Sequence, residues 1–557
     1  LILTLSGKPE KLEGTIRLDR KEAEEAKLTL VGIRDARFGC TFDGQPLGTE
    51  GMVQLSAVVS LSADSEINWL GNFHWSDGRH SPIDVERVED PAEEDKGEEE
   101  GETEEEPESA DDPAASYAVN YPLGAFGRAG PPEQPEAVVF RGATVWTCGD
   151  AGVLEGASVV IGGGKILAVG QSVRPPPGAL VVECSGKHLT PGVIDSHSHM
   201  GTDGGVNEGT QAITSEVRIE DFLNAADVGI YRQLAGGVTT SHVMHGSANP
   251  IGGQNQVIKL RWGATDEELK FAEAPGSLKL ALGENVKQSN WGDDYTTRYP
   301  QTRMGVVEII RDAFQAAQEY RGSRDRWRET RRGLPPRRDL ELDAVVDVIE
   351  GRSRIHCHAY RQDEILAFLR TLEDLGIRAG TLHHILEGYK VADVMARHGV
   401  AGSAFSDWWA YKFEVYDAIP YNGPLMHAAG VLVSFNSDDA ELARHLNQEA
   451  AKAVKYGDFS PEEALKLVTI NPAGQLGVEG HVGSIEPGKH ADLVVWSGPP
   501  LSNFSRAEET WVDGRKYFDL GDDRAARQTA RRQKAALIQK ILGADSPAKK
   551  DKEEEKS

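Results

Sequence analysis

Short apolar runs that end in histidine or a carboxylate, and that alternate with helix-like stretches, constrain this chain more tightly than any other feature. Leu189-Thr190-Pro191-Gly192-Val193-Ile194 reads as a buried strand and runs directly into Asp195-Ser196-His197-Ser198-His199. Side chains on a strand alternate faces, so His197 and His199 project the same way and can grip one metal ion from the strand's end. Ile355-His356-Cys357-His358, Gly380-Thr381-Leu382-His383-His384 and Val431-Leu432-Val433-Ser434-Phe435-Asn436-Ser437-Asp438 repeat the pattern. Histidine and carboxylate donors suit zinc and similar divalent ions. Strand ends of this kind, separated by helices, predict a (β/α)8 barrel, whose chemistry gathers at the C-terminal ends of its strands. Cys357 is turned away from both flanking histidines by the same alternation and reads as a buried thiol.

A chain of 557 residues is too long for one ordinary domain, and a barrel with smaller modules accounts for it. Its net charge of −28 is largely local. Between Glu89 and Asp112 stand fifteen acidic residues and one lysine, so this stretch alone contributes −14. Such a segment cannot bury enough apolar surface to fold, and it reads as a solvated linker over residues 89–115. Before it, residues 1–88 alternate polar and apolar positions, as in Val53-Gln54-Leu55-Ser56-Ala57-Val58, and predict a small β-rich domain. Eight arginines between Arg321 and Arg338 read as a solvated helix face or lid, since the chain is acidic and lacks an aromatic stacking platform, so no nucleic-acid partner is expected. Residues 523–557 read as a surface helix and a charged tail. Four cysteines do not make a disulfide framework. No apolar run is long enough to cross a membrane. The chain begins at Leu1 rather than Met, which points to a processed or truncated start and favours an exported or periplasmic protein over a cytoplasmic one.

From about Glu136 to about Asp519 the chain resembles the amidohydrolase superfamily, in the branch of imidazolonepropionase and related metal-dependent dipeptidases. The resemblance rests on the histidine-bearing strand ends and on two flanks. Ala137-Val138-Val139-Phe140-Arg141-Gly142 with Gly163-Gly164-Lys165-Ile166-Leu167 opens it, and Thr469-Ile470-Asn471-Pro472-Ala473 with Gly483-Ser484-Ile485-Glu486-Pro487-Gly488-Lys489-His490-Ala491-Asp492-Leu493 closes it. The resemblance implies an α/β architecture in which a composite β-sandwich, residues 116–190 and 481–522, flanks a TIM-like barrel over residues 191–480. It also implies one or two divalent metal ions, zinc first among them, and a small-molecule substrate; a homo-oligomer is compatible with it.

By the same resemblance His197, His199 and Asp438 hold one ion, and His356 and His384 follow the fifth and sixth strands as further ligands. His356 is preferred to His358, and His384 to His383, by their place in the family's pattern; His358 and His383 are left to substrate contact or packing. Binuclear members bridge their ions with a glutamate or a carboxylated lysine after the fourth strand. Glu284 is preferred to Lys287 because it needs no modification, and a one-metal site with neither is the third option. Asp438 is the expected general base towards a water whose pKa of about 15.7 a bound zinc lowers to about 7, and His384, if not a ligand, would polarise the substrate carbonyl. Asp439 reads as structural. Substrate contacts are expected from Asn249 and Gln254 after the second strand, Tyr389 and Lys390 after the sixth, and Trp408, Trp409, Tyr411 and Lys412 after the seventh, with His358. The expected activity is hydrolysis of a C–N bond in an amide, cyclic amide or dipeptide-like molecule. A one-metal aminohydrolase and a non-catalytic binding barrel are the rivals.

Overall fold

The computed structural model describes residues 2–8, 11–18, 23–34, 37–61, 67–84, 121–128, 130–288, 298–405 and 412–544. The chain divides into two compact units, residues 1–117 with 524–557 and residues 118–523. The acidic stretch 89–115 lies outside the described residues.

In the first unit, strands Ile2–Lys8, Lys11–Arg17 and Glu25–Lys27 form one antiparallel sheet. Thr29–Arg34, Arg37–Asp43, Met52–Leu61, Ile67–His74 and His80–Asp84 form another. Alternate residues Phe38, Cys40 and Phe42 meet Val53, Leu55 and Phe73 in a small core. The helix Leu520–Ala544 runs into this unit, where the Gln539 amide exchanges two hydrogen bonds of 2.5 Å with the backbone of Met52. The C-terminal segment therefore joins the N-terminal sheets, a pairing that helical periodicity alone cannot reveal.

The second unit holds the barrel. Its eight strands are Val193–Ser198, Val238–Val243, Ile251–Lys259, Gly276–Ala281, Ser353–Ala359, Thr381–His384, Ala401–Ala404 and Val433–Phe435, and they pair in chain order. The barrel is not uniformly parallel, as the sequence reading expected. The third strand runs antiparallel to both neighbours. Residues 244–250, which lead into it, are too few for a crossover helix, which needs about a dozen residues. From the fourth strand onward all pairs are parallel. Covering helices bury one stripe each; in Gln362–Asp374 that stripe is Ile365, Phe368, Leu369 and Leu372.

Strands from both sides of the barrel build one eight-stranded sheet. His188–Pro191, entering the barrel, pairs antiparallel with Leu493–Trp496, leaving it. The hairpin Val153–Gly162 to Lys165–Gly170 turns through Gly163 and Gly164, whose φ of 57° and 78° suit the tight turn that matches strand twist.

Candidate metal centre at the barrel mouth

The first strand carries one extra residue against the second, between Asp195 and Ser198. This bulge lets the neighbours Ser196 and His197 both face the barrel interior. Ser196 Oγ lies 2.9 Å from Ser403 Oγ, and His197 Nε2 lies 3.5 Å from Asp438 Oδ1. His199 donates Nδ1–H to the Met244 carbonyl at 2.8 Å, which leaves Nε2 facing the same Asp438 oxygen at 3.2 Å. His384 Nε2 lies 3.6 Å from Asp438 Oδ2. Three imidazoles thus converge on one carboxylate.

Strict alternation would point His384 away from the side that His383 faces. Positive φ angles of 66° at His384 and 44° at Ile385 turn it back to the mouth, and Asp438 sits at 44°. Each such residue costs about 1–3 kcal/mol and persists only where its surroundings hold it. Here the Asp438 N–H donates to the His197 carbonyl at 3.1 Å, and the Ile385 N–H donates to Ala359 at 2.8 Å. Asp195, fully buried, accepts from the backbone N–H of Ser437 at 3.1 Å and from its hydroxyl at 2.5 Å, so it fastens the first strand end to the eighth. Burial pushes its carboxyl up to about 7 against those bonds.

Burial holds His197 and His384 well below the ordinary imidazole range, so both are neutral. For Asp438, burial works upward, but the His199 imidazole and the positive charge of Lys279 beside it outweigh it and hold the carboxyl low. Nδ1 of His197 and both ring nitrogens of His384 are buried without a hydrogen-bond partner among the described residues. Neutral imidazoles with unsatisfied lone pairs around an ionised carboxylate are the donor set of a divalent transition metal.

The fourth strand ends at Ala281, and Glu284 and Lys287 follow it, the Glu284 backbone N–H donating to Glu414 Oε1 at 2.8 Å. The cation at the centre is Lys279, between the outward Leu278 and Leu280, with Nζ 3.4 Å from His197 Nε2. Burial brings its ammonium down to about 8. A lone lysine inside an apolar strand was the signal available in the sequence. On the fifth strand the two histidines lie in different layers. His356 lies deeper, its Nδ1 2.9 Å from His383 Nε2 and its ring beside His242. His358, one layer nearer the mouth, packs its ring 4.7 Å from that of His384. Two residues along a strand separate the layers, which the motif alone could not rank. Cys357 is fully buried, and burial pushes its thiol up.

Residues 422–517 match the model of the amidohydrolase family. A crystal structure of an amidohydrolase from Thermotoga maritima MSB8 is 34% identical, with a TM-score of 0.64, over 69% of this chain and 100% of that one. The chain belongs to the amidohydrolase family. It is with that a hydrolase acting on carbon–nitrogen bonds, of a metal-dependent kind. The amidohydrolase tasK of Hapsidospora irregularis is 32% identical over 62% of this chain, which spans 38% of tasK. The imidazolonepropionase of Symbiobacterium thermophilum is 25% identical over 63% of this chain and 86% of its own.

Around the amidohydrolase centre the expected substrate contacts divide. Lys412 stands at the mouth, its Nζ 4.3 Å from the centre of the Tyr360 ring and donating to Asn285 Oδ1 at 3.3 Å. Asn285 in turn donates to Ser247 Oγ at 2.8 Å and lies 3.5 Å from His358 Nε2. Asn285 and Tyr360 were not among the expected contacts, whereas Ser247 stands in the glycine-rich stretch 246–254 from which substrate contacts were expected. Asn249 is instead structural: its amide donates to the Glu208 and Gln211 carbonyls at 2.5 and 2.6 Å. Gln254 likewise donates to the Ser215 carbonyl at 3.0 Å. Both amide nitrogens fasten the segment before them, while the buried Asn249 Oδ1 has no hydrogen-bond partner among the described residues. Tyr389 and Lys390 turn to Asp417, the tyrosine donating to its carbonyl at 3.0 Å and the lysine pairing with its carboxylate, so they do not form a free recognition pair. Trp408, Trp409 and Tyr411 lie outside the described residues. Among the described residues no helix is long and apolar enough to cross a membrane.

Proposed function

We propose that this chain hydrolyses the C–N bond of an amide, cyclic amide or dipeptide-like small molecule at the barrel mouth. The convergence of three imidazole Nε2 atoms within 3.6 Å of the Asp438 carboxylate carries the reading. His197, His199, His384 and Asp438 would hold a divalent ion, zinc by the chemistry of its donors. Such an ion supplies a water whose pKa falls from about 15.7 to about 7, and it polarises a carbonyl. The low-lying Asp438 carboxylate accepts the proton of the attacking water and returns it to the leaving nitrogen. Lys412, held over Tyr360, bonded to Asn285 and 4.0 Å from the Glu414 carboxylate, lies where an anionic or carbonyl end of the substrate would compete for its charge.

Lys279 supports a two-ion version of the centre. A buried amine that titrates near 8 is partly neutral at physiological pH, and a neutral amine can add carbon dioxide. The ammonium gives up one proton, the Nζ lone pair attacks the carbon of carbon dioxide as a C=O π bond opens onto oxygen, and a second proton leaves, so the lysine's positive charge would become a carbamate's negative one, a donor suited to cations.

A panel of N-acyl amino acids, cyclic amides, dipeptides and aminated heterocycles, assayed on zinc-loaded protein for free amine and for ammonia, tests the reading. Release of a carboxylate with an amine, or opening of a cyclic amide, is expected. Turnover of the aminated heterocycles alone, with ammonia as the product, would overturn it in favour of a deaminase.

A further inference from the structure

At the far end of the barrel from the site just described, a second histidine–carboxylate cluster stands apart. Lys259 closes the third strand and pairs in register with Thr240, itself level with Ile194 at the start of the first strand. His199 lies five residues further along, roughly 16 Å at strand rise. Beside Lys259, the ligand-type atoms of Glu273, His481 and His490 all lie within 4.8 Å of one another, the same convergence that unites His197, His199 and Asp438. Glu273 follows the third strand, whereas His481 and His490 lie in the segment that leads out of the barrel to the strand Leu493–Trp496.

We propose that Glu273, His481 and His490 form a second site for a divalent transition-metal ion, of the zinc class, at the base of the barrel. Two imidazoles and one carboxylate are a sufficient donor set, with water completing a tetrahedron. The surroundings set up His490 for the role. Its Nδ1 lies 3.3 Å from Asp513 Oδ1 and 2.8 Å from Lys259 Nζ. Without an ion Nδ1 accepts from the Lys259 ammonium; binding at Nε2 selects the other tautomer, in which Nδ1–H turns to Asp513 and the ammonium keeps Asp492 and Asp513, and a carboxylate behind a ligating histidine fixes its ring. Lys259 does not depend on His490, because its ammonium also reaches Asp492 Oδ1 at 3.0 Å and Asp513 Oδ1 at 2.5 Å. With Arg261 also on Asp513, two cations and two carboxylates cancel. The local balance therefore leaves Glu273 to meet the ion's charge.

Packing brings the rings together without the ion. The His481 and His490 rings lie 5.5 Å apart, both against Phe271, and the His490 N–H donates to the His481 carbonyl at 2.8 Å. The cluster sits beside the apolar group of Ile194, Val257, Phe271, Leu476, Val478 and Val482. An ion here would tie the segment after the third strand to the chain returning to the composite sheet.

The test counts ions and heat resistance on the full chain. Wild type, His481→Ala and Glu273→Gln are stripped with a chelator, reloaded with zinc alone, freed of excess, and assayed for zinc per chain and for Tm with and without zinc. Wild type is expected to hold one more ion per chain than either variant, and to gain several degrees of Tm at a zinc concentration where the variants gain fewer. Turnover per chain, read on the substrate found active, is expected to stay within twofold. Glu273 is exposed, so Glu273→Gln decides alone if His481→Ala does not fold. Wild-type zinc content and an unchanged zinc-dependent Tm shift in Glu273→Gln overturn the proposal.

Discussion

The two ends of this barrel use the same residue types to opposite effect. At the mouth, His384, Ile385 and Asp438 hold left-handed backbone, and imidazole nitrogens are buried without partners among the described residues. At the base, Lys259 is wholly buried yet meets His490, Asp492 and Asp513, while Arg261 reinforces Asp513. Burial and these partners hold the two carboxyls in opposite directions, Asp492 above and Asp513 below the ordinary carboxylate range. Strain and unmet bonding capacity mark the end where a ligand must bind; paired charge marks the end that holds the barrel to its sheet. A histidine–carboxylate cluster is therefore not enough to identify a catalytic end. Its backbone and its unmet atoms are.

The contrast predicts that substitutions at the mouth act on activity and those at the base on stability. Asp438→Asn keeps size and hydrogen bonding but cannot take a proton, so kcat should fall by about two to four orders of magnitude. Its midpoint in urea should change little, and metal content measured on the same sample separates lost base from lost ligand. Near-normal kcat in the metal-replete variant would remove Asp438 from the role of base.

Lys259→Met at the base should do the reverse. Losing one partner of a buried charge cluster leaves Asp492 without its cation and Asp513 with Arg261 alone, a cost of about 3–5 kcal/mol. Urea unfolding should show that loss while the folded enzyme turns over as before. An unchanged midpoint would mean that the base network is not what secures this end.

Lys279→Met and Glu284→Gln sharpen the boundary of the mouth. Loss of Lys279 should reduce bound metal or activity by about 10–100-fold, the range for groups that act directly on a metal site's ligands. Glu284→Gln should stay within a few-fold. Bicarbonate added to metal-depleted wild type should restore activity if the carbamate forms, and should do nothing for Lys279→Met. Equal effects of the two substitutions would return the bridging role to Glu284.

Much of the fold was legible because a barrel strand announces itself by an apolar run and a reactive residue at its end. The composite sheet was legible too, since Ala137–Trp146 and Leu493–Trp496 open or form short apolar runs close to glycine turns. The metal centre was readable only in part. His197, His199 and Asp438 follow from strand ends, whereas choosing between His356 and His358 required knowing how deep each layer lies. Lys279 stands inside the fourth strand rather than after it, and a cation flanked by Leu278 and Leu280 must face inward. The rim formed by Ser247, Asn285, Tyr360 and Lys412 draws on four separate segments, and no local pattern connects them.

The sequence by itself determined the elements, their order and the chemistry available at their ends, because periodicity and residue type are local properties. Only the tertiary structure decided which end-residues meet. The bulge before His197, the reversed third strand and the left-handed turn at His384 each depend on neighbours far away in the chain. A one-residue shift in any of them turns a ligand to the other face.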